Sequence, residues 1–391
     1  MGRILAAFMH VLVLPKWYPG RHDPQLGDFI RKQAQALALR HRVSVVAIIA
    51  WSGSGPAQEV ASENGLWELR TYYEPSRSSW IPWRRAVNLF RYWNAGRKGI
   101  QRAWKESGAP DLTQVQIMVR PALLAWWLRL RHRIPFMISE HSSEFLDGTW
   151  TAKSALFKAL NHFLFRRASA VTAVGPALAD AIRSHGLAAR VEIFPNVVAG
   201  LDHPLPGPGP AHHFLMVADL VDRTKNVSGA LRALADCRRS GTPAEMDIIG
   251  DGPDAASLRE LSGTLGLEGC VRFLGRKANQ EVLRIIARSG TVIVNSNVET
   301  FSVVTGEALS LGRPVIATRC GGPVAFITPE NGVLIDVRDM QQLAAAMTRM
   351  VRDHQRYPPE QVRRTVGDRF GPDAICERGT AILDQALAHA R

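Results

Sequence analysis

Four cysteines in 391 residues, Cys237, Cys270, Cys320 and Cys376, stand too far apart for a paired metal knuckle, and a chain of this length has no need of disulfide staples. A reduced, cytoplasmic setting is the expectation. No apolar run reaches the ~18–20 residues that span a bilayer. The stretch from Met1 to Leu14 leads into Pro15-Lys16-Trp17-Tyr18-Pro19 without a small-residue cleavage pattern, so no signal peptide is expected, and Met9 offers a translation start alternative to Met1. Asp-x-Asp occurs nowhere, which removes the usual carboxylate cradle for a metal-bound diphosphate. Acidic residues are also scarce: 35 Asp and Glu stand against 48 Lys and Arg, a net charge of +13. That balance implies an anionic partner, whether nucleic acid, an anionic lipid surface or a phosphorylated substrate.

What is present is ordinary for a folded chain, with 46% hydrophobic and 21% charged residues, and the length suits two domains. Strand-like and helix-like segments alternate, as in parallel sheets wound with helices. Val11–Leu14 reads as a strand, 28–40 as an amphipathic helix with Asp28 as its N-cap, and Val43–Ile49 as the next strand. The Pro- and Gly-rich run from Leu201 to Pro210 interrupts the pattern and reads as a linker. Beyond it the alternation restarts, with strands at 214–218, 246–249, 271–274, 291–295 and 315–318. A helix over Ser302–Leu311 is closed by Gly312 and Pro314. The chain therefore divides into an α/β domain over 1–200, a linker over 201–213, a second α/β domain over 214–370 and a C-terminal helix over 371–391 returning to the first domain. Two facing Rossmann-like domains with a cleft between them are expected, with chemistry in the loops that follow strands.

The loop after 291–295 runs from Ser296 to Glu307. It places Glu299 before a helix start and Glu307 inside that helix, with the free amides of Phe301, Ser302, Val303 and Val304 between them as an anion site. Two bare glutamates would ordinarily be a helix-end charge and a solvated side chain. A sugar diphosphonucleotide, with hydroxyls on both sides of its diphosphate, would give each of them a partner.

The order of elements here, Glu-x7-Glu with Phe301 after the first Glu, Glu307-Ala308, Gly312-Arg313-Pro314-Val315 and Gly321-Gly322, resembles the nucleotide-sugar signature of retaining GT-B glycosyltransferases, the group that includes bacterial polysaccharide enzymes. Ile248-Ile249-Gly250-Asp251-Gly252-Pro253, Val271-Arg272-Phe273-Leu274-Gly275 and Lys225-Asn226 resemble its preceding segments, and Trp17-Tyr18-Pro19 with Gly27-Asp28-Phe29 and Glu140-His141 resemble its first-domain loops. The resemblance implies a nucleoside-diphosphate sugar donor, a saccharide or lipid-linked acceptor, and retention through front-face attack. It implies that Lys225 neutralises the leaving diphosphate, Glu299 holds the transferred sugar, Glu307 the ribose and His141 the donor near its anomeric carbon. Gly27 lets the backbone approach a phosphate, and Arg276 with Lys277 lies in the base-binding loop. The family often has Arg six residues before the Lys; here that place is Asp219, and Arg223 is the candidate to supply the charge. With cations and helix amides available and no Asp-x-Asp, no metal or other cofactor is expected.

Between Trp80 and Lys105, Trp83, Leu89, Phe90, Trp93 and Trp104 interleave with seven Arg and Lys residues, as in an interfacial element on anionic lipid or a domain helix with buried rings. The first reading predicts a peripheral protein on the inner face of the cytoplasmic membrane. Trp126 to Arg133 reads as the end of a core helix. Rival readings are a sugar-nucleotide epimerase of the same fold, an NAD-dependent enzyme suggested by the G-x-G-x-x-A at Gly250, and a nucleic-acid-binding protein. The NAD pattern lacks an acidic strand end about 20 residues on, and no nucleic-acid module accompanies the charge.

Overall fold

The structure, a computed structural model, describes residues 8–63 and 65–390; Met1 lies outside the described residues. The chain forms two compact units, one of Met1–Val197 with Pro372–Arg391 and the other of Val198–Gly371. The expected linker at 201–213 therefore belongs to the second unit.

In the first unit, β1 (His10–Pro15), α1 (Asp28–Ala38), β2 (Arg42–Ala50), β3 (Gln58–Glu63), β4 (Leu66–Tyr73) and α2 (Ile81–Ser107) are followed by β5 (Leu112–Gln116), α3 (Arg120–His132), β6 (Phe136–Glu140), α4 (Ala155–Arg167), β7 (Ala170–Ala173), α5 (Pro176–Ser184) and β8 (Glu192–Ile193). The sheet order is β3-β4-β2-β1-β5-β6-β7-β8, parallel throughout except for the antiparallel β3–β4 hairpin at its edge. β1 is buried along its whole length because helices cover both faces, which is why it reads as a continuous apolar run rather than an alternating one. α1 is capped one residue earlier than the sequence suggests: Gly27, at φ 71, is the N-cap, Asp28 is the first helical residue, and the helix ends at Ala38. Only glycine fits at 27, since a Cβ there would stand 2.5 Å from the Trp17 carbonyl oxygen.

The second unit contains β9 (His213–Val217), α6 (Asp222–Lys225), α7 (Val227–Arg239), β10 (Glu245–Ile249), α8 (Ala255–Thr264), β11 (Val271–Gly275), α9 (Asn279–Arg288), β12 (Thr291–Val294), α10 (Val303–Ser310), β13 (Val315–Thr318), β14 (Gly332–Ile335), α11 (Met340–Arg352) and α12 (Pro359–Val366). Its six strands lie in the order β11-β10-β9-β12-β13-β14, with every pairing parallel. Both sheets are thus doubly wound α/β layers. Arg313, from the sequence motif, is a structural residue: its buried guanidinium donates to the Gly207 and Ala287 carbonyls.

The last helix, α13 (Pro372–Ala388), packs on α1 in the first unit, with Leu383, Ile375 and Ile382 in one core cluster with Ile30 and Leu37. Polar ties fix its register: His41 Nε2 and Thr380 Oγ1 lie 2.8 Å apart and Arg40 pairs with Glu377 at 3.1 Å. Leu383→Ala should accordingly cost about 2–5 kcal/mol, read as an earlier urea transition of the first unit. An unchanged midpoint would show that α13 is dispensable to that core.

The end of β6 is clamped by a buried carboxylate. Glu140 accepts from the amides of Met118 (2.9 Å), His141 (3.2 Å) and Ser142 (3.4 Å). Burial nevertheless dominates and pushes its carboxyl up from 4.5 to about 7, against the pull of the Met118 and Ser142 amides. The folded chain therefore keeps a proton that the unfolded chain releases above pH 4.5, so this group costs stability progressively as pH rises from 4.5 to 7 and adds no further loss above that. Wild type should lose stability relative to Glu140→Gln across this window, by at most about 1.4 kcal/mol per pH unit. A pH-independent difference in chemical denaturation would refute the assignment.

Candidate active site

In the second sheet β10 and β11 lie on one side of β9, while β12 begins the run on the other. The loops leaving the carboxyl ends of β9 and β12 therefore diverge, and a crevice opens at this reversal. The first loop carries Lys225 and the second Glu299. The two side chains meet: Lys225 Nζ lies 2.6 Å from Glu299 Oε1.

Each loop is stiffened by its own hydrogen bonds before the pair forms. Asp222 accepts from Ser228 N at 2.8 Å and Ser228 Oγ at 2.6 Å, which closes the single turn of α6 onto α7. Asn226 turns the chain at φ 48, so Lys225 stands at a fixed corner. The loops are then stitched together. Asn297 donates from its backbone to the Thr224 carbonyl (2.7 Å) and from Nδ2 to the Arg223 carbonyl (2.7 Å), and Asn295 Nδ2 donates to the Asn226 carbonyl (2.9 Å).

Glu299 is also tied to the next strand. Its amide donates to Cys320 O and its carbonyl accepts from Gly322 N, at 2.9 and 2.8 Å, forming an isolated bridge to Gly321. A Cβ on Gly322 would lie 2.5 Å from the Phe301 carbonyl carbon, so the Gly321-Gly322 turn is what permits this approach. Ser296 Oγ donates to the same Oε1 that Lys225 holds, at 2.8 Å, and leaves Oε2 as the oxygen with capacity for a ligand. Burial works against the charge of Lys225, yet Glu299, with Asp219 behind it, holds the ammonium above its ordinary value.

Beyond Glu299 the ring of Phe301 is buried edge-on against Phe326 and Phe370, with centroids 5.1 and 5.7 Å away, so Phe301 anchors the loop and offers only its backbone to a ligand. Ser302 adopts φ 68, a left-handed conformation costly for a residue with a Cβ, and its hydroxyl lies 2.7 Å from Thr305 Oγ1. This turn starts α10 at Val303, four residues after Glu299, leaving its first-turn amides without intrahelical partners. Glu307 is only 2% exposed and accepts from Asn279 Nδ2 at 3.0 Å. Asn279 opens α9 directly after the Gly275–Ala278 loop, so Glu307 is joined to the loop that carries Arg276 and Lys277. Arg276 is exposed there, and Lys277 pairs with Glu281 at 3.0 Å. Arg223 is exposed, and among the described residues its side chain makes no ion pair with Glu299 or Asp219.

In the first unit the ring of Phe29, two residues after Gly27, lies 5.0 Å from the His141 imidazole. His141 Nε2 lies 2.6 Å from Gln116 Oε1. Because Gln116 Nε2 donates to Gln33 Oε1 (2.8 Å) and Gln33 Nε2 to Pro195 O (3.0 Å), the chain of donors assigns the proton to Nε2 of His141. Nδ1 is then an acceptor, buried and unpartnered. Burial lowers the imidazole to about 3, so His141 is neutral near pH 7.

The basic aromatic stretch divides in two. Trp80 (66%), Trp83 (56%) and Phe90 (65%) are exposed at the start of α2, with Ile81 and Leu89. Trp93 instead packs edge-on against Trp127, 6.0 Å between centroids, and Trp104 against His132 at 4.8 Å, so these two rings belong to the α2–α3 contact and not to a free surface.

The residues missed from sequence are the stitching ones, Asn295, Asn297, Asn279 and Asp222. Their one visible signal is position: polar amides and a carboxylate directly after strands or at helix starts.

Comparison with known proteins agrees with this geometry. Residues 207–364 match the family described as glycosyl transferases group 1, and residues 26–197 match the glycosyl transferase 4-like domain. The lipopolysaccharide core biosynthesis glycosyltransferase LpsD of Rhizobium meliloti is 27% identical over 228 residues, spanning 55% of this chain and 63% of that protein. Among solved structures, sucrose-phosphate synthase from Thermosynechococcus elongatus superposes with a TM-score of 0.76 at 19% identity, covering 97% of this chain and 99% of that one. Anabaena HepE in complex with UDP and glucose superposes with a TM-score of 0.71 at 19% identity, covering 96% and 99%. With a glycosyl transferase 4-like domain followed by a glycosyl transferases group 1 domain, each on its own Rossmann-like sheet, the chain belongs to the glycosyltransferases of GT-B fold.

Proposed function

We propose that this protein is a retaining glycosyltransferase that moves a hexose from a nucleoside-diphosphate sugar to a saccharide or lipid-linked saccharide acceptor without a metal ion. The observation that carries the reading is the half-buried Lys225–Glu299 pair ahead of the free amides of α10, at the reversal of the second sheet. HepE, of the same fold, is solved with UDP and glucose, and LpsD is named for lipopolysaccharide core synthesis.

In this reading the donor diphosphate lies over the first turn of α10, and its charge draws the Lys225 ammonium partly away from Glu299. Glu299 Oε2 accepts hydroxyls of the transferred sugar and Glu307 accepts from the ribose. As the bond from the anomeric carbon to phosphate oxygen breaks, negative charge grows on the diphosphate, where Lys225 and the amides are already placed; stabilisation of that kind is preorganised rather than induced. The acceptor oxygen bonds to the anomeric carbon on the same face, and its proton passes to the departing phosphate oxygen, so no protein base is needed. His141, uncharged, contributes a hydrogen bond and not a cation.

Substituting either member of the pair separates this reading from a structural ion pair. Glu299→Ala and Lys225→Ala should each lower turnover by on the order of 10²–10³-fold with circular dichroism unchanged, and EDTA should leave wild-type turnover intact. UDP, GDP or ADP should raise the melting temperature. Stabilisation by NAD alone would rule the transfer reaction out, and near-normal turnover of Glu299→Ala would remove its assigned role.

The acceptor reading extends to a membrane surface. No described helix is long and apolar enough to cross a bilayer. The exposed Trp80, Trp83 and Phe90 beside Arg84, Arg85 and Arg91 suit contact with anionic headgroups at the inner face of the cytoplasmic membrane. Alanine at Trp83 and Phe90 together should cut sedimentation with phosphatidylglycerol vesicles about tenfold or more, with neutral vesicles binding weakly throughout. Equal binding of variant and wild type would confine α2 to the fold.

A further inference from the structure

The first sheet also reverses, between β1 and β5, and the loops that leave those strands part around a cavity of about 480 Å³. One side is apolar, with Leu26, Ile48 and Met118, and the other presents Lys16, Arg120 and Lys153. Glu144 pairs with Lys153 at 3.0 Å, whereas among the described residues no carboxylate forms an ion pair with Lys16 or Arg120. Arg120 and Pro121 also begin α3, a helix of 13 residues whose first-turn amides open at the same place.

Tyr92 lines this cavity from α2. It is 5% exposed, and its hydroxyl is buried without a hydrogen-bond partner. The Arg120 guanidinium lies over the ring, 5.7 Å from its centroid. Burial pushes the phenol well above its ordinary value, so the group stays an O–H donor. A buried polar hydrogen left unbonded is unfavourable, and a ligand oxygen in the cavity would relieve it. The wall beside it is strained: Ile117, β-branched, is held at φ 68, and Glu140 fixes the next amide. Two uncompensated cations, a helix N-terminus and one neutral donor suit a divalent tetrahedral anion, since a single carboxylate would leave one cation unmatched.

We propose that this cavity holds the acceptor by a phosphate ester, with Lys16 and Arg120 neutralising the phosphate and the Tyr92 hydroxyl donating to it. The assignment rests on the transfer reaction proposed above, and it narrows the acceptor to a phosphorylated one, a soluble sugar phosphate or a lipid-borne phosphate. Calorimetric titration of the whole chain with glucose 6-phosphate and with glucose, in the presence and absence of UDP, tests the soluble arm, and vesicles containing phosphatidic acid, a lipid phosphate monoester, test the lipid arm. Glucose 6-phosphate, or the vesicles, should bind with an affinity that falls about tenfold in Arg120→Gln and severalfold in Tyr92→Phe, while the UDP titration is the same in both variants. Tyr92→Phe removes one atom and preserves the ring, so its folding is a control for the larger substitution. Glucose and its phosphate binding alike, together with vesicle binding indifferent to Arg120 and Tyr92, would overturn the site. Failure of UDP to bind while Arg120-dependent phosphate binding persists would overturn the transfer reaction and support the phosphate site.

Discussion

Everything at the candidate site depends on one topological constraint: a parallel sheet can be wound in either direction from its first strand, and where the direction changes two crossovers must leave the same edge on opposite faces. At β9 and β12 of the second sheet that divergence opens the space into which Lys225 and Glu299 project. The strands themselves contribute no chemistry. Their burial on both faces supplies the rigidity that lets short loops hold a charged pair in one place.

Holding that pair is expensive. Both side chains are largely withdrawn from water, and the attraction between them offsets a desolvation cost of several kcal/mol per ion only when the geometry is good. Here the geometry is secured by backbone carbonyls. Three stitches from Asn295 and Asn297 lock the Lys225 turn to the Glu299 strand end, and the bridge to Gly321 locks Glu299 to β13. A ligand anion therefore meets an ammonium that is already desolvated and oriented. Its arrival exchanges one counter-charge for another and buries no new cation. That exchange is what the proposed metal-free binding of a diphosphate by a protein cation and helix amides would rely on.

The alternation of strands and helices was legible because a buried parallel strand leaves an unbroken apolar run and a helix start leaves Gly, Ser or Asp beside it. The pair Glu299 and Glu307 was legible for a different reason: its spacing across a helix start is fixed by α10. Other features left no such trace. The β3–β4 hairpin at the sheet edge is half exposed and polar, so Gln58–Glu63 carries no apolar pattern. Asp28 invited the role of N-cap on side-chain chemistry, and lost it because the close approach of Trp17 O admits only Gly27 at that corner. Trp93 and Trp83 look alike in sequence, and only the packing of α3 separates a half-buried, packed ring from an exposed one. The stitching asparagines act through the backbone of a loop some 70 residues away, a relation that a single sequence does not encode locally.

The two sheets reverse beside their first strands and so present comparable crevices, yet the charge is handled in opposite ways. In the second unit the cation is neutralised internally by Glu299, and in the first, Lys16 and Arg120 stand without a carboxylate while Glu144 is already committed to Lys153. The difference has a physical consequence. A compensated site can discriminate ligands by hydroxyl geometry, because its net charge attracts weakly and Glu299 Oε2 must be satisfied. An uncompensated one selects first for charge and only then for shape, because the two cations act before close contact is made. The Tyr92 hydroxyl adds the second filter: it is buried and directional, so an anion must present an oxygen at that depth to complete the site. The surplus of cations in the composition is thus partly explained by position, since two of them line a cavity whose carboxylate, Glu144, is already paired with Lys153.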